Sequence, residues 1–393
     1  MRDAAQASGI RVALVGGAVR DRLLDRPNPA RDADVAVEGD AAELARSIAG
    51  ADPGVDVRIH DRFGTATIST PSGWRIDLAS TRRETYERPG ALPSVRPAAL
   101  EEDLDRRDFT VNAMAWELAP PGFRERRFLD PLGGAEDIRG RKIRALHPGS
   151  FRDDPTRALR AVRYANRLGF RVEPATRRWI AEALVAGALD TISGDRLRRE
   201  VEKIFWEDGA ARAVRLAGAL GIPRAIDPDL DAGPGAIRAL GRAERLARGV
   251  EPKATWLLPL LVWTDGLPER ARTAVANRLS LSGPSRKIFE RWPETRDALL
   301  SGRGGRSRCG ADERLAAAAV WPAGSGGAAA RARLLAPEPR LSIRGSDLLR
   351  AGIAAGPSVG RALAETRLAL EDGRIRRAQE LPYAIAVALR EDS

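Results

Sequence analysis

One cysteine, Cys309, and two histidines, His60 and His147, are all the sulfur and imidazole metal ligands in 393 residues. No internal disulfide can form, and no nitrogen and sulfur set for zinc exists. Any metal must therefore sit on carboxylates, which points to Mg2+ or Mn2+, hard cations that take oxygen ligands and work beside phosphates. Lysine is nearly as scarce, occurring only at 142, 203, 253 and 287, so the formal charge of +11 rests almost wholly on arginine. An arginine excess fits a polyanionic partner, whose counterions it would release, and equally a GC-rich coding bias.

Long apolar runs are missing too. No stretch approaches the ~20 residues that span a bilayer. The start, MRDAAQASGIRVALVGG, lacks the charged, apolar, small order of a secretory leader. A cytoplasmic protein with no membrane partner is expected. No repeat of fixed period and no heptad run occurs, which disfavours solenoids and long coiled coils. No GxxxxGK[ST] occurs either, which disfavours phosphate-loop kinases.

What is present divides in two. Up to about residue 145, short β-like runs (RVALVGG, ADVAVEG, VDVRIHD, TATIST, WRIDLAS) alternate with helical stretches. From about Phe151, Ala, Leu, Arg and Glu recur at helical spacing, which predicts an all-helical remainder. Candidate breaks are Ala225 to Gly235, Ser301 to Gly310 and Ala323 to Ala328.

The chemistry-bearing residues cluster early. Gly16 and Gly17 follow an apolar strand and open a helix, a turn that either lets backbone N–H groups meet a phosphate or simply connects two elements. Asp32 and Asp34 are two apart at the head of a strand, so both carboxylates project from one face and can share a pair of metal ions. Asp77 interrupts another apolar strand, WRIDL. It either completes the acid set, or takes the proton of an attacking hydroxyl, or merely bonds Arg75 or Arg82. In RRDFTVNAMA, Arg106 and Arg107 offer planar forks to phosphate oxygens, while Asp108 and Asn112 suit a ribose hydroxyl. His60-Asp61 is an isolated dipeptide without partner histidines.

Asp153-Asp154-Pro155-Thr156-Arg157 opens a helix with acids and then an arginine stripe. With Asp154 and Arg157 three apart, a helix would hold them as a rigid pair on one face. Cytosine and adenine each place an amino donor beside a ring acceptor, whereas uracil and guanine place a carbonyl beside an N–H. A fixed acceptor and donor pair would complement only the first arrangement. The alternative is an exposed ion pair at a helix start. Arg160, Arg163 and Arg167 continue along one side, toward a triphosphate, the incoming RNA end or solvent.

Together the strings GGAVRDRLL, DADVAV, RRETY, RRDFTVNAMA, DPLGGAEDI, RDDPTRALRAVRYANRLGF and ISGDRLRREVEKIF resemble the class II tRNA nucleotidyltransferase and bacterial poly(A) polymerase family, within the DNA polymerase β-like superfamily. The match runs over roughly residues 10 to 205. It implies an α+β chain: a polymerase-β-like mixed α/β head (1–145, catalytic), a helical neck (146–225, nucleotide-selecting), a helical body (226–330) and a helical tail (331–393, RNA-binding). The HD hydrolase domain of some members has no counterpart here.

By that resemblance Gly16, Gly17, Asp32 and Asp34 build the metal and triphosphate site; beside them Asp77 is read as a catalytic acid, and Arg20, Arg160 and Arg163 as nucleotide contacts. Arg106, Arg107, Asp108 and Asn112 take phosphate and ribose. Asp154 and Arg157 match the selecting EDxxR motif, with Asp153 in place of Glu. Asp195 and Arg196 match a helix-start motif taken as structural, with Ser193 as the cap.

Arg82 lies in Thr81 to Leu104, which resembles a flexible loop that CC-adding members shorten; here it is intact. Arg344 and Gly356 fall in a glycine-punctuated stretch like the tail of CCA-adding enzymes, which assigns all three to RNA. The expected reaction is template-independent addition of CCA to the 3′ end of tRNA from CTP and ATP, with Mg2+ or Mn2+. Poly(A) polymerase, an A-only enzyme and a non-catalytic RNA-binding protein are the alternatives. Oligomeric state is left open.

Overall fold

The computed structural model describes residues 4–5, 9–28, 31–60, 64–118, 127–250, 254–301, 309–321, 331–332, 334–336, 340–371 and 374–390. Residue 61 of the HD dipeptide, residues 302–308 and the break at 323–328 lie outside them. The chain divides into two compact units, one of residues 1–200 and 216–225, the other of residues 201–215 and 226–393.

In the first unit, β1 (Arg11–Val15) turns at Gly16 into α1 (Gly17–Leu23), and β2 (Asp32–Glu38) leads into α2 (Ala41–Ala51). Asp40 caps α2 by accepting from the backbone N–H groups of Ala42 and Glu43. Then come β3 (Asp56–His60), β4 (Thr65–Ser69) and β5 (Arg75–Ser80), so all five alternating runs are strands. With the later β8 (Ala115–Glu117) and β9 (Arg127–Leu129) they make one sheet in the order β3-β4-β5-β2-β1-β8-β9. Only β2 and β5 run parallel within it, which sets Asp32 beside Arg75 and Asp34 beside Asp77.

Alternation gives the sheet two unlike faces. Val12, Val35, Val37, Ile68 and Leu78 pack under Leu44, Ala45 and Ile48 of α2. The other face carries the acids.

The stretch from Thr81 to Leu104 is not an open loop. It forms a hairpin, β6 (Arg82–Thr85) with β7 (Ser94–Pro97), and most of α3 (Leu100–Asp105). Leu100 and Leu104 of α3 pack on Ala13, Val15, Ala36 and Ala115, covering the acid-bearing face over β1, β2 and β8 (Ala115–Glu117). The sheet ends at β9 (Arg127–Leu129), and α4 (Gly134–Arg139) and β10 (Lys142–Ile143) follow.

Past Phe151 the regular elements among the described residues are helical with one exception. After α5 (Ser150–Asp153) and α6 (Thr156–Leu168), β11 (Arg171–Val172) pairs in parallel with β10. Two residues are too few for a periodic pattern, so this ladder is invisible in the sequence. It ties the expected neck to the end of the expected head within the first unit, which holds residues 146–200 and 216–225 of that neck but not 201–215. α7 (Pro174–Val185) completes this stretch, while α8 (Gly194–Trp206), α9 (Ala210–Ala219) and α10 (Ile222–Ile226) contribute residues to both units.

The second unit is helical among its described residues: α11 (Pro234–Ala247), α12 (Leu257–Trp263), α13 (Glu269–Arg278), α14 (Gly283–Ser301) and α15 (Ala311–Val320). α12 (LLPLLVW) is buried throughout, against α11 and α15. α16 (Gly345–Arg350), α17 (Pro357–Glu371) and α18 (Glu380–Ala388) share their own core of Leu348, Ile353, Ala362, Ala384 and Val387. No described helix is long and apolar enough to cross a membrane.

Candidate active site

The acids come from two neighbouring strands. Burial is the main force raising the Asp34 carboxyl above its ordinary range; Asp77 and Asp32 push the same way, and Arg107 offsets part of the rise. A carboxylate strained by like charges gains most from a divalent cation, so this all-oxygen set fits Mg2+ or Mn2+. Among the described residues no group of three or more His, Cys, Asp or Glu is poised to hold an ion by itself. Asp77 accepts from Thr67 Oγ1 at 2.6 Å and lies 3.2 Å from Arg75 Nη2, so the Arg75 contact weighed from sequence is present.

Gly16 sits at φ 66°, and a Cβ there would lie 3.1 Å from Arg107 Nη1 and 3.9 Å from Asp34 Oδ2. The turn is glycine because backbone, acid and guanidinium crowd together. Arg106 reaches Glu84 at 2.9 Å and Asp103 at 2.7 Å, and Arg107 reaches Asp103 at 3.0 Å. One buried acid thus anchors both forks. Arg107 Nε is buried without a hydrogen-bond partner.

A chain of bonds ties α1 to α6. Arg20 Nη1 donates to Asn112 Oδ1 at 2.7 Å, Asn112 Nδ2 donates to Asp108 Oδ1 at 3.0 Å, and Arg160 Nε donates to Asp108 Oδ2 at 2.8 Å. Burial opposes the charge on Asp108, but Arg160 and Asn112 outweigh it and hold the carboxyl below its usual range. Arg20, Arg160 and Arg163 all surround the Tyr164 ring, at 5.5, 5.5 and 5.0 Å from its centroid.

Asp154 and Arg157 are not a helical pair. Asp154 is extended at the end of α5, and Pro155 separates it from α6, so the helical spacing argument does not apply. Asp154 Oδ1 accepts from Thr156 N at 3.0 Å and from Arg196 Nη2 at 2.9 Å. Arg157 donates to Ser150 Oγ at 2.7 Å and to the Arg106 carbonyl at 2.9 Å. Each is fixed by its own partners.

A cavity of 320 Å³ brings together Gly16, Gly17, Asp34, Arg106, Arg107, Asp108, Asn112, Asp154, Arg157 and Arg160, joined by Glu84, Tyr86 and Tyr164. Asp32, Asp77, Arg20 and Arg163 are not in its lining. Burial, then Glu84, pushes the Tyr86 hydroxyl up to about 12, so it stays a donor, toward Glu84 Oε2 at 3.0 Å. Arg82 is tied to Glu84 within β6. Arg344 and Gly356 lie in the second unit, exposed before α16 and α17.

Arg196, Tyr164 and Glu84 are the residues that sequence reasoning undervalued. Ser193 does cap α8, accepting from Arg196 N, but the Arg196 side chain reaches across to Asp154. Tyr164 had one signal, an aromatic four residues after Arg160 inside an arginine stripe.

The family described as "Poly A polymerase head domain" matches residues 12–144, and "Probable RNA and SrmB- binding site of polymerase A" matches residues 169–233. An A-adding tRNA nucleotidyltransferase of Geobacter sulfurreducens is 39% identical over 277 residues, 69% of this chain and 31% of that protein. A CC-adding tRNA nucleotidyltransferase of Deinococcus radiodurans is 32% identical over 378 residues, 96% of this chain and 89% of that one. A solved CCA-adding enzyme in an apo form matches with TM-score 0.77 and 29% identity, over 99% of this chain and 94% of the other. The chain spans only 31%, 23% and 45% of the length of three A-adding relatives.

Proposed function

We infer the reaction from membership: this chain belongs to the tRNA nucleotidyltransferase family, enzymes that generally use divalent metal ions. The reading is that it adds C and A to the 3′ end of tRNA from CTP and ATP, without a template, in the cytoplasm. One observation carries it. A single cavity holds an acid and a guanidinium able to read a base edge, Asp154 and Arg157, together with the Gly16-Gly17 turn, the arginine forks and Asp34.

Asp154 accepts from the amino group of cytosine or adenine, and Arg157 donates to the adjacent ring nitrogen. UTP and GTP meet the pair with like groups, at about 1–3 kcal/mol per unsatisfied buried group. Asp108 and Asn112 take the ribose, and Arg106, Arg107 and Arg160 take the phosphates. Arg20 and Arg163 hold that frame from behind Asn112 and Tyr164. Arg82, Arg344 and Gly356 remain RNA contacts.

In the reaction the terminal 3′-oxygen bonds to the α-phosphorus, the bond from that phosphorus to the bridging oxygen breaks, and pyrophosphate leaves with the electron pair. The hydroxyl proton passes to Asp77. Mg2+ or Mn2+, held by Asp32 and Asp34, would supply charge stabilisation for the attacking and leaving oxygens.

The 39% identical A-adding relative favours a second reading, addition of the terminal A alone. Transcripts of tRNA ending before CCA, after C, after CC and after CCA, each offered one nucleotide at a time with Mg2+, separate these. Three additions that then stop support the first reading. Extension of the CC-ended transcript only supports the second, long A tails indicate poly(A) synthesis, and RNA binding without incorporation refutes all three.

A further inference from the structure

Arg157 is only 5% exposed, yet it borders two cavities. It lines the nucleotide cavity and, with Glu84, Tyr86 and Arg106, a second cavity of 250 Å³ whose lining also includes His147 and Asp153. A long side chain with open space beside it is not locked by packing alone, so its hydrogen bonds choose where the fork points.

Both oxygens that hold the fork are neutral. Arg157 Nη1 donates to Ser150 Oγ at 2.7 Å, and Nη2 donates to the Arg106 carbonyl at 2.9 Å. The two acids just before it in sequence face other partners: Asp154 Oδ1 accepts from Thr156 and Arg196, and Asp153 Oδ2 lies 3.8 Å from His147 Nε2. The Arg106 oxygen is main chain, so the Ser150 hydroxyl is the side-chain half of this grip.

Ser150 is itself fixed. It is fully buried, its N–H donates to the His147 carbonyl at 3.2 Å, and its own carbonyl accepts from Asp154 N at 3.2 Å. The hydroxyl is thus a stationary acceptor at the start of α5. A guanidinium has five N–H donors, and an uncharged holder leaves its positive charge uncancelled and its remaining donors for a base.

We propose that Ser150 is a positioning residue for base choice, which aims the Arg157 fork at the ring nitrogen of cytosine or adenine. Ser150 can have this role only if Arg157 reads the base edge, as inferred above, and the two are tested separately.

Full-length Ser150→Ala is given a tRNA transcript that the unsubstituted enzyme elongates, with each nucleotide alone. For CTP and ATP kcat/KM falls about tenfold or more, chiefly through KM, the loss expected for a contact made by a charged group, while UTP and GTP change little. On 3-deaza-CTP and 1-deaza-ATP, which lack the ring nitrogen, the substitution costs nothing further. Unchanged preference for CTP over UTP, or an equal loss on the natural nucleotides and the deaza analogues, overturns the assignment.

In an Arg157→Ala background, Ser150→Ala should add no further loss of selection, and an additive loss would show that Ser150 acts by another route. If Arg157→Ala alone leaves selection intact, the base-reading role falls and this one with it. If Arg157→Ala loosens selection and Ser150→Ala does not, only the role of Ser150 falls. Should Ser150→Ala fail to fold, Ser150→Cys, which keeps the side chain but offers only a weak acceptor, takes its place in the same measurements.

Discussion

Arg196 Nη2 donates to Asp154 Oδ1 at 2.9 Å across 42 residues of sequence. The acid proposed to read the base edge is thus held by α8, and a second bond from Arg196 Nη1 to the Gly90 carbonyl, 2.6 Å, fixes the guanidinium itself. On the proposed role of Asp154, base choice would depend on a residue that need not touch the nucleotide.

Arg196→Ala is therefore expected to loosen selection more than synthesis. Losing one hydrogen bond to a charged group, about 1.5–3 kcal/mol, corresponds to roughly a tenfold or greater fall in preference for CTP and ATP over UTP and GTP. Competition between nucleotides on one transcript measures it. Discrimination equal to that of the unsubstituted enzyme would remove Arg196 from the selecting apparatus.

Asp34→Ala should reduce incorporation by about 10³-fold or more, since a metal centre supplies several kcal/mol of transition-state stabilisation. Binding of tRNA by anisotropy should be retained. Normal turnover in this variant would show that the cation is held elsewhere.

Gly16→Ala forces a side chain onto a residue at φ 66° with a Cβ 3.1 Å from Arg107 Nη1. The strain costs about 1–3 kcal/mol, read as a lower melting temperature, and the displaced guanidinium raises the KM for nucleotide. Gly133, also at positive φ but with nothing within 4 Å of a built Cβ, is the control: Gly133→Ala should strain the backbone without touching nucleotide KM.

Stability should fall in acid through Asp108 and Asp103. Burial opposes ionisation of Asp103, but Arg107 and Arg106 outweigh it, and Asp108 is depressed in the same sense by Arg160 and Asn112. A carboxyl whose folded value lies below its unfolded value of about 4 adds stability that is complete above that pH. This stability is lost as pH falls through the folded value. Urea unfolding between pH 6 and 3 should show stability declining toward acid. Asp108→Asn should be less stable at pH 6 and lose less on acidification, and a variant as steep as the parent would place the acid sensitivity elsewhere.

The five strands β1 to β5, the Gly16-Gly17 turn and the carboxylates at 32 and 34 were legible in the sequence, because each rests on neighbours along the chain. Period-two alternation decides which side chains share a face, and glycine tolerates a turn that other residues resist. The run Thr81 to Leu104 misled, since a short hairpin without strong alternation reads as loop until its strands pair. Only tertiary packing set Asp34 against Asp77, brought Arg196 to Asp154 and set the Arg106 carbonyl against Arg157. Those relations join strands and helices distant in sequence, and strand order and helix docking, which no local period encodes, determine them.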